Sequence, residues 1–91
     1  MRTVRVIVRG RVQGVGFRAW AEDQAIPLKL AGWVRNRRDG TVEAILSGDE
    51  AAVEEMIATL REGPRLAYVS AVEVEDSAEA VGASFKALPT E

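Results

Sequence analysis

The chain contains no cysteine and no histidine. These absences exclude disulfide bonds, thiolate and imidazole metal ligands, and any mechanism built on a cysteine or histidine nucleophile or a histidine base. Aromatic residues are scarce as well, at 5%. Single-stranded RNA binding needs paired exposed aromatics and usually a basic surface, so that scarcity and a pI near 5.2 argue against it. No apolar run approaches the ~20 residues of a membrane span, and Met1-Arg2-Thr3-Val4-Arg5 leads into alternating arginines and not into a signal-peptide core. The expectation is a cytoplasmic protein with neither a membrane nor a nucleic-acid partner.

What is present is the balance of an ordinary globular chain: 47% hydrophobic and 29% charged residues over 91 positions. That length supports one hydrophobic core, so a single domain spanning residues 1–91 is expected, with site and scaffold shared. The net charge of −2 conceals a strong asymmetry, because residues 1–40 hold nine Lys/Arg against three Asp/Glu and residues 41–91 hold three against eleven. A basic half can concentrate an anionic ligand, although arginines on a solvated strand face give the same count.

Val4, Val6 and Val8 alternate with Arg5, Ile7 and Arg9, the period of a half-buried strand that stops at Gly10. Gly10 to Gly16 is too rich in glycine for a helix or strand interior and reads as a loop. Beyond it Phe17, Trp20, Ala21 and Leu28 fit a helical face, with Glu22, Asp23 and Gln24 turned to solvent and Pro27 as the stop. Strands follow around Leu30 to Arg35 and Thr41 to Leu46, joined by Asn36-Arg37-Arg38-Asp39-Gly40, whose Asp-Gly pair signals a hairpin. Val53, Met56, Ile57 and Leu60 mark a second helix, with Ser47 and Asp49 as candidate N-caps and Gly63-Pro64 as its end. Val72 and Val74, alternating with Glu73 and Glu75, give a fourth strand, and Phe85 to Leu88 a short edge strand.

The order strand, helix, strand, strand, helix, strand is the split βαβ pattern. It predicts an α+β, ferredoxin-like βαββαβ sandwich, an antiparallel sheet with two helices on one face. Enzymes, RNA readers and regulatory modules all use this fold, so function has to come from a site.

The candidate site is Gln13-Gly14-Val15-Gly16-Phe17-Arg18. Backbone N–H groups of a glycine-rich turn entering a helix point outward together, and the helix dipole adds positive potential, which suits a phosphate. Arg18, in the first helical turn, can reach an oxyanion bidentately. The alternative is a tight strand-to-helix connection with Arg18 a solvated surface charge, and spacing alone leaves the two equal. For Asn36 the residues alone favour a turn residue beside the hairpin over an amide that orients an attacking water.

Gly10-Arg11-Val12-Gln13-Gly14-Val15-Gly16-Phe17-Arg18 resembles the first signature of the acylphosphatase family. Gly32-Trp33-Val34-Arg35-Asn36, with Gly40, Val42 and Gly48 at their spacings, resembles the second. The likeness covers nearly the whole chain, with departures at Ala21, where many members carry a hydroxyl residue, and at Pro27-Leu28-Lys29-Leu30, where a glycine often ends the helix. The resemblance implies hydrolysis of small acyl phosphates, with Arg18 holding the phosphate, Asn36 orienting the attacking water, and the backbone of Gln13 to Arg18 forming the cradle. It implies no metal and no other cofactor, inorganic phosphate as product and inhibitor, and a monomer. A preference for carbamoyl phosphate is a close variant, and a non-catalytic phosphate or nucleotide sensor is the alternative. Trp20, Trp33 and Phe17 are expected in the core, and Arg35, Arg37 and Arg38 are expected as solvated hairpin charges.

Overall fold

The computed structural model describes residues 1–91. Its elements run β1 (Arg2–Arg11), α1 (Phe17–Ala25), β2 (Ala31–Asn36), β3 (Val42–Gly48), α2 (Glu50–Glu62), β4 (Tyr68–Asp76) and β5 (Phe85–Ala87). Alternation decides which way each strand faces. Val4, Val6 and Val8 of β1 are wholly buried, together with Val42, Ala44 and Leu46 of β3 and Val34 of β2. They meet Phe17, Ala21 and Ala25 of α1 and Val53, Met56, Ile57 and Leu60 of α2 in one cluster of 17 buried residues. Burying each large aliphatic or aromatic side chain contributes about 1.5–3 kcal/mol relative to leaving it in water, so the period-3.6 stripe of α2 is what docks that helix.

The strands lie in the order β4-β1-β3-β2-β5. β1 pairs antiparallel with β3 and β4, and β2 pairs antiparallel with β3. β5 runs parallel to β2, with Gly32 opposite Phe85 and Val34 opposite Ala87. The fold is therefore the expected ferredoxin-like α+β arrangement with a mixed sheet. The first four strands follow the antiparallel expectation, whereas β5 departs from it because no hairpin fixes its direction: the chain crosses from the β4 edge to the far edge through residues 77–84.

Several local expectations shift. β1 continues through Gly10 to Arg11, and its register against β4 shifts between Arg9 and Gly10, where Ser70 of β4 is the extra residue of a bulge. α1 ends at Ala25 ahead of Pro27, and Gly63 caps α2. Asp49 occupies the N-cap of α2 without a side-chain bond, while Ser47 lies within β3 and bonds Thr3 across the sheet at 2.8 Å.

Trp33 is not a core residue. It stands on the helix-free face of the sheet, where the Arg35 guanidinium lies 4.6 Å from its ring centroid and its Nε1 donates to Glu79 at 2.9 Å. Trp20 is partly buried and meets Phe17 edge-on, with centroids 5.2 Å apart. Arg35 is not a solvated charge either, since its Nε donates to Glu43 Oε1 at 2.9 Å. No helix is long and apolar enough to cross a membrane.

Candidate active site

The connection between β1 and α1 is short and turns sharply, at Gly14 (φ 74°) and Gly16 (φ 75°). L side chains disfavour this left-handed region by about 1–2 kcal/mol per residue, and glycine escapes that cost. A Cβ at either position would meet nothing within 4 Å, so backbone conformation and not space calls for glycine. The consequence is a row of free donors. None of the N–H groups of residues 13–18 donates to a backbone carbonyl, and α1 has no side-chain N-cap. Unpaired amides beside the positive end of a helix dipole form an anion cradle.

Gln13 contributes to this row through its backbone, while its side chain anchors the loop. Its Nε2 donates to Arg37 O at 2.6 Å and to Thr41 O at 2.9 Å, tying the cradle to the β2–β3 hairpin. That hairpin is itself fixed by Asp39, whose Oδ1 accepts from Thr41 Oγ1 at 2.6 Å and from Thr41 N at 3.0 Å. The same two bonds hold the Asp39 carboxyl below its usual range. The Val15 side chain turns away from the cradle, packs against the core and lines a separate cavity with Pro64, Arg65 and Leu66.

Gly14, Gly16, Phe17, Arg18 and Asn36 come together around a cavity of about 360 Å³, whose walls are completed by Val12, Ala19, Glu22 and Ala87. Arg18 is steadied by one bond, Nη1 to Leu88 O at 2.8 Å. It pairs with no carboxylate, unlike Arg2, Arg5, Arg9, Arg35 and Arg37, so its remaining donors are free to meet a ligand in the cavity. Asn36 is the last residue of β2, and its Oδ1 is buried with no hydrogen-bond partner. An unpaired buried acceptor costs about 1–3 kcal/mol, which a ligand or water at the site can recover. The two ends of the amide are isosteric, so a half-turn presents either Oδ1 or Nδ2 to the cavity.

A family model described as acylphosphatase matches residues 4–87. The chain belongs to the acylphosphatase family. An acylphosphatase of Nitrobacter hamburgensis is 52% identical over 92 residues, an alignment covering 94% of this chain and 93% of that protein. The solved acylphosphatase of Bacillus subtilis superposes with a TM-score of 0.91 at 39% identity, over 97% of this chain and 99% of that one. A region of full-length HypF, solved in a phosphate- and nucleotide-bound form, matches with a TM-score of 0.87 at 26% identity; it covers 98% of this chain and 12% of HypF. Membership of the acylphosphatase family makes the chain an enzyme of the hydrolase class.

One wall of this acylphosphatase cavity lies outside both signatures. Glu22, expected among the solvent-facing residues of α1, lines the cavity and accepts at Oε2 from Ala87 N at 3.2 Å. The signal that could have found it is its position four residues after Arg18, one helical turn along the same face.

Proposed function

We propose that the chain hydrolyses the carboxyl-phosphate bond of small acyl phosphates, giving a carboxylate and inorganic phosphate. The phosphate is bound by N–H groups of the Gln13 to Arg18 loop and by the Arg18 guanidinium. A water held by the Asn36 amide attacks phosphorus in line, and the carboxylate oxygen departs with the electrons of the P–O bond. A carboxylate is a stable leaving group, so neither a strong base nor a general acid is required, and no phosphoenzyme forms. The cradle amides and the guanidinium stabilise the charge on the equatorial oxygens, a task that metal ions perform in other phosphoryl-transfer sites. The protein acts as a cytoplasmic monomer on small molecules, with no nucleic-acid or membrane partner, and its product phosphate competes with substrate.

The reading rests on one observation: a single cavity collects Arg18, Asn36 and the loop residues Gly14, Gly16 and Phe17, whose amides are free. Turnover of benzoyl phosphate in the presence of excess chelator tests it. The expected result is unchanged hydrolysis with competitive inhibition by inorganic phosphate. Loss of turnover that a divalent ion restores would overturn metal independence, and a protein inert toward every acyl phosphate would overturn the activity.

A further inference from the structure

Glu22 is an unexpected wall for a site that takes anions. Its carboxylate shares the cavity with Arg18, Asn36, Gly14 and Gly16. Spaced four residues apart on α1, Arg18 and Glu22 are suited to pair with each other, yet both side chains reach for the backbone where the chain leaves β5. Arg18 Nη1 donates to Leu88 O at 2.8 Å, and Glu22 Oε2 accepts from Ala87 N at 3.2 Å. The carboxylate therefore does not neutralise the guanidinium. Its own charge is left beside the cradle, with one backbone N–H as its hydrogen-bond partner.

We propose that Glu22 sets the anion affinity of the site, its fixed negative charge keeping both substrate and product phosphate loosely bound. This rests on the acylphosphatase reading of the cavity. Repulsion from a fixed carboxylate acts on the phosphate before and after the acyl group has left, so it raises KM and the phosphate inhibition constant together. It is a uniform binding effect and not one confined to the transition state. The benefit is release: a cradle of unpaired amides with an uncompensated arginine would otherwise hold its product phosphate more tightly. The acyl group contributes nothing to this effect, so it extends to any tetrahedral dianion.

The test separates charge from hydrogen bonding. Glu22→Gln keeps an acceptor for Ala87 N–H and removes the charge, whereas Glu22→Ala removes both. Asp23→Asn makes the same change in net charge on the exposed flank of α1. Titration calorimetry with inorganic phosphate and with sulfate, at low and at high ionic strength, is compared with KM for benzoyl phosphate. Glu22→Gln is expected to tighten both anions by about three- to tenfold at low salt, and less at high salt, as for a partly exposed charge on the wall of the same cavity. KM should fall by the same factor. Glu22→Ala should tighten binding similarly, and Asp23→Asn should not. The proposal is overturned if Glu22→Gln leaves anion affinity unchanged, if only Glu22→Ala alters it, or if Asp23→Asn matches Glu22→Gln. A wild-type protein that binds phosphate without hydrolysing benzoyl phosphate would sink the enzymatic reading alone, because the affinity ratio still reads the charge of Glu22.

Discussion

Asn36 closes β2 with no left-handed strain; the only non-glycine residue with positive φ is Lys29, and in the hairpin the turn conformation falls to Gly40 at φ 94°. Its amide carries no hydrogen bond that holds the hairpin together, a task performed by Asp39 and by the Gln13 side chain. The kinetic roles of the two proposed site residues can therefore be read apart from folding. Asn36→Ala is expected to lower kcat by roughly 100- to 1,000-fold, the usual cost of one preorganised group, with KM and phosphate inhibition little changed. Its unfolding free energy should stay within about 0.5 kcal/mol of wild type, since Oδ1 has no partner to lose. Arg18→Ala should weaken phosphate binding and turnover together, because in the proposed mechanism the guanidinium meets the phosphate before and during reaction. Full activity in Asn36→Ala, or loss only in proportion to unfolded protein, would reject its role. Arg18, Asn36 and the glycines were legible in the sequence because they lie in two contiguous motifs. Glu22 was not: its charge and surface position on an amphipathic helix give an ordinary solvent face, and only the tertiary approach of Ala87 and Leu88 turns that position into a cavity wall.

Among the elements, local periodicity carried furthest. Both helices and the β2–β3 hairpin end within a residue or two of where apolar spacing, Pro27 and Asp39-Gly40 place them. What local pattern could not carry was pairing. The bulge between β1 and β4 at Ser70 and the parallel entry of β5 depend on partners about 60 residues away or across the sheet, where no turn dictates register. The same long-range pairing explains Gly32, which nothing local in β2 requires. Its φ is 130°, and an added Cβ would fall 1.9 Å from Ile45 O on β3. Gly16 is also left-handed, but a Cβ there meets nothing within 4 Å. Gly32→Ala should accordingly cost about 3 kcal/mol or more, from strain plus a backbone clash at the centre of the sheet, and Gly16→Ala only about 1–2 kcal/mol. Urea denaturation of the two variants measures the contrast, and equal losses would contradict the assigned origin.

At the scale of the molecule, the topology interleaves part of the basic first half with the acidic second half. β1 lies between β3 and β4, so its arginines face glutamates on both sides: Arg5 with Glu43 at 2.6 Å and Glu75 at 3.2 Å, and Arg9 with Glu73 at 2.9 Å. Arg35 adds a second bond to Glu43 at 2.9 Å, and Arg2 pairs with Glu54. Composition shows the charge imbalance, whereas strand order decides which of these charges pair within the molecule. Glu43 is the centre of this network, 4% exposed within the helix-free face. Burial pushes its carboxyl up, but the hydrogen bonds from Arg5 and Arg35 outweigh that and hold it below the usual 4.5. Arg9 does the same for Glu73 by hydrogen bonding. A carboxyl with a folded value below its unfolded value contributes stability that is complete above about pH 4.5 and is lost as pH falls through the depressed value. Thermal stability should therefore be flat from neutrality down to about pH 5 and decline below it. Glu43→Gln leaves Arg5 and Arg35 without their shared charge. Breaking a fully buried pair costs about 3–5 kcal/mol, and solvent reaching these arginines reduces that to about 1–3 kcal/mol at neutral pH. The variant should also show a shallower acid decline than wild type, since one of the groups that drives it is gone. Melting curves from pH 3 to pH 8 decide the matter: an unaltered acid slope in Glu43→Gln would mean that the network contributes nothing to the pH dependence of folding.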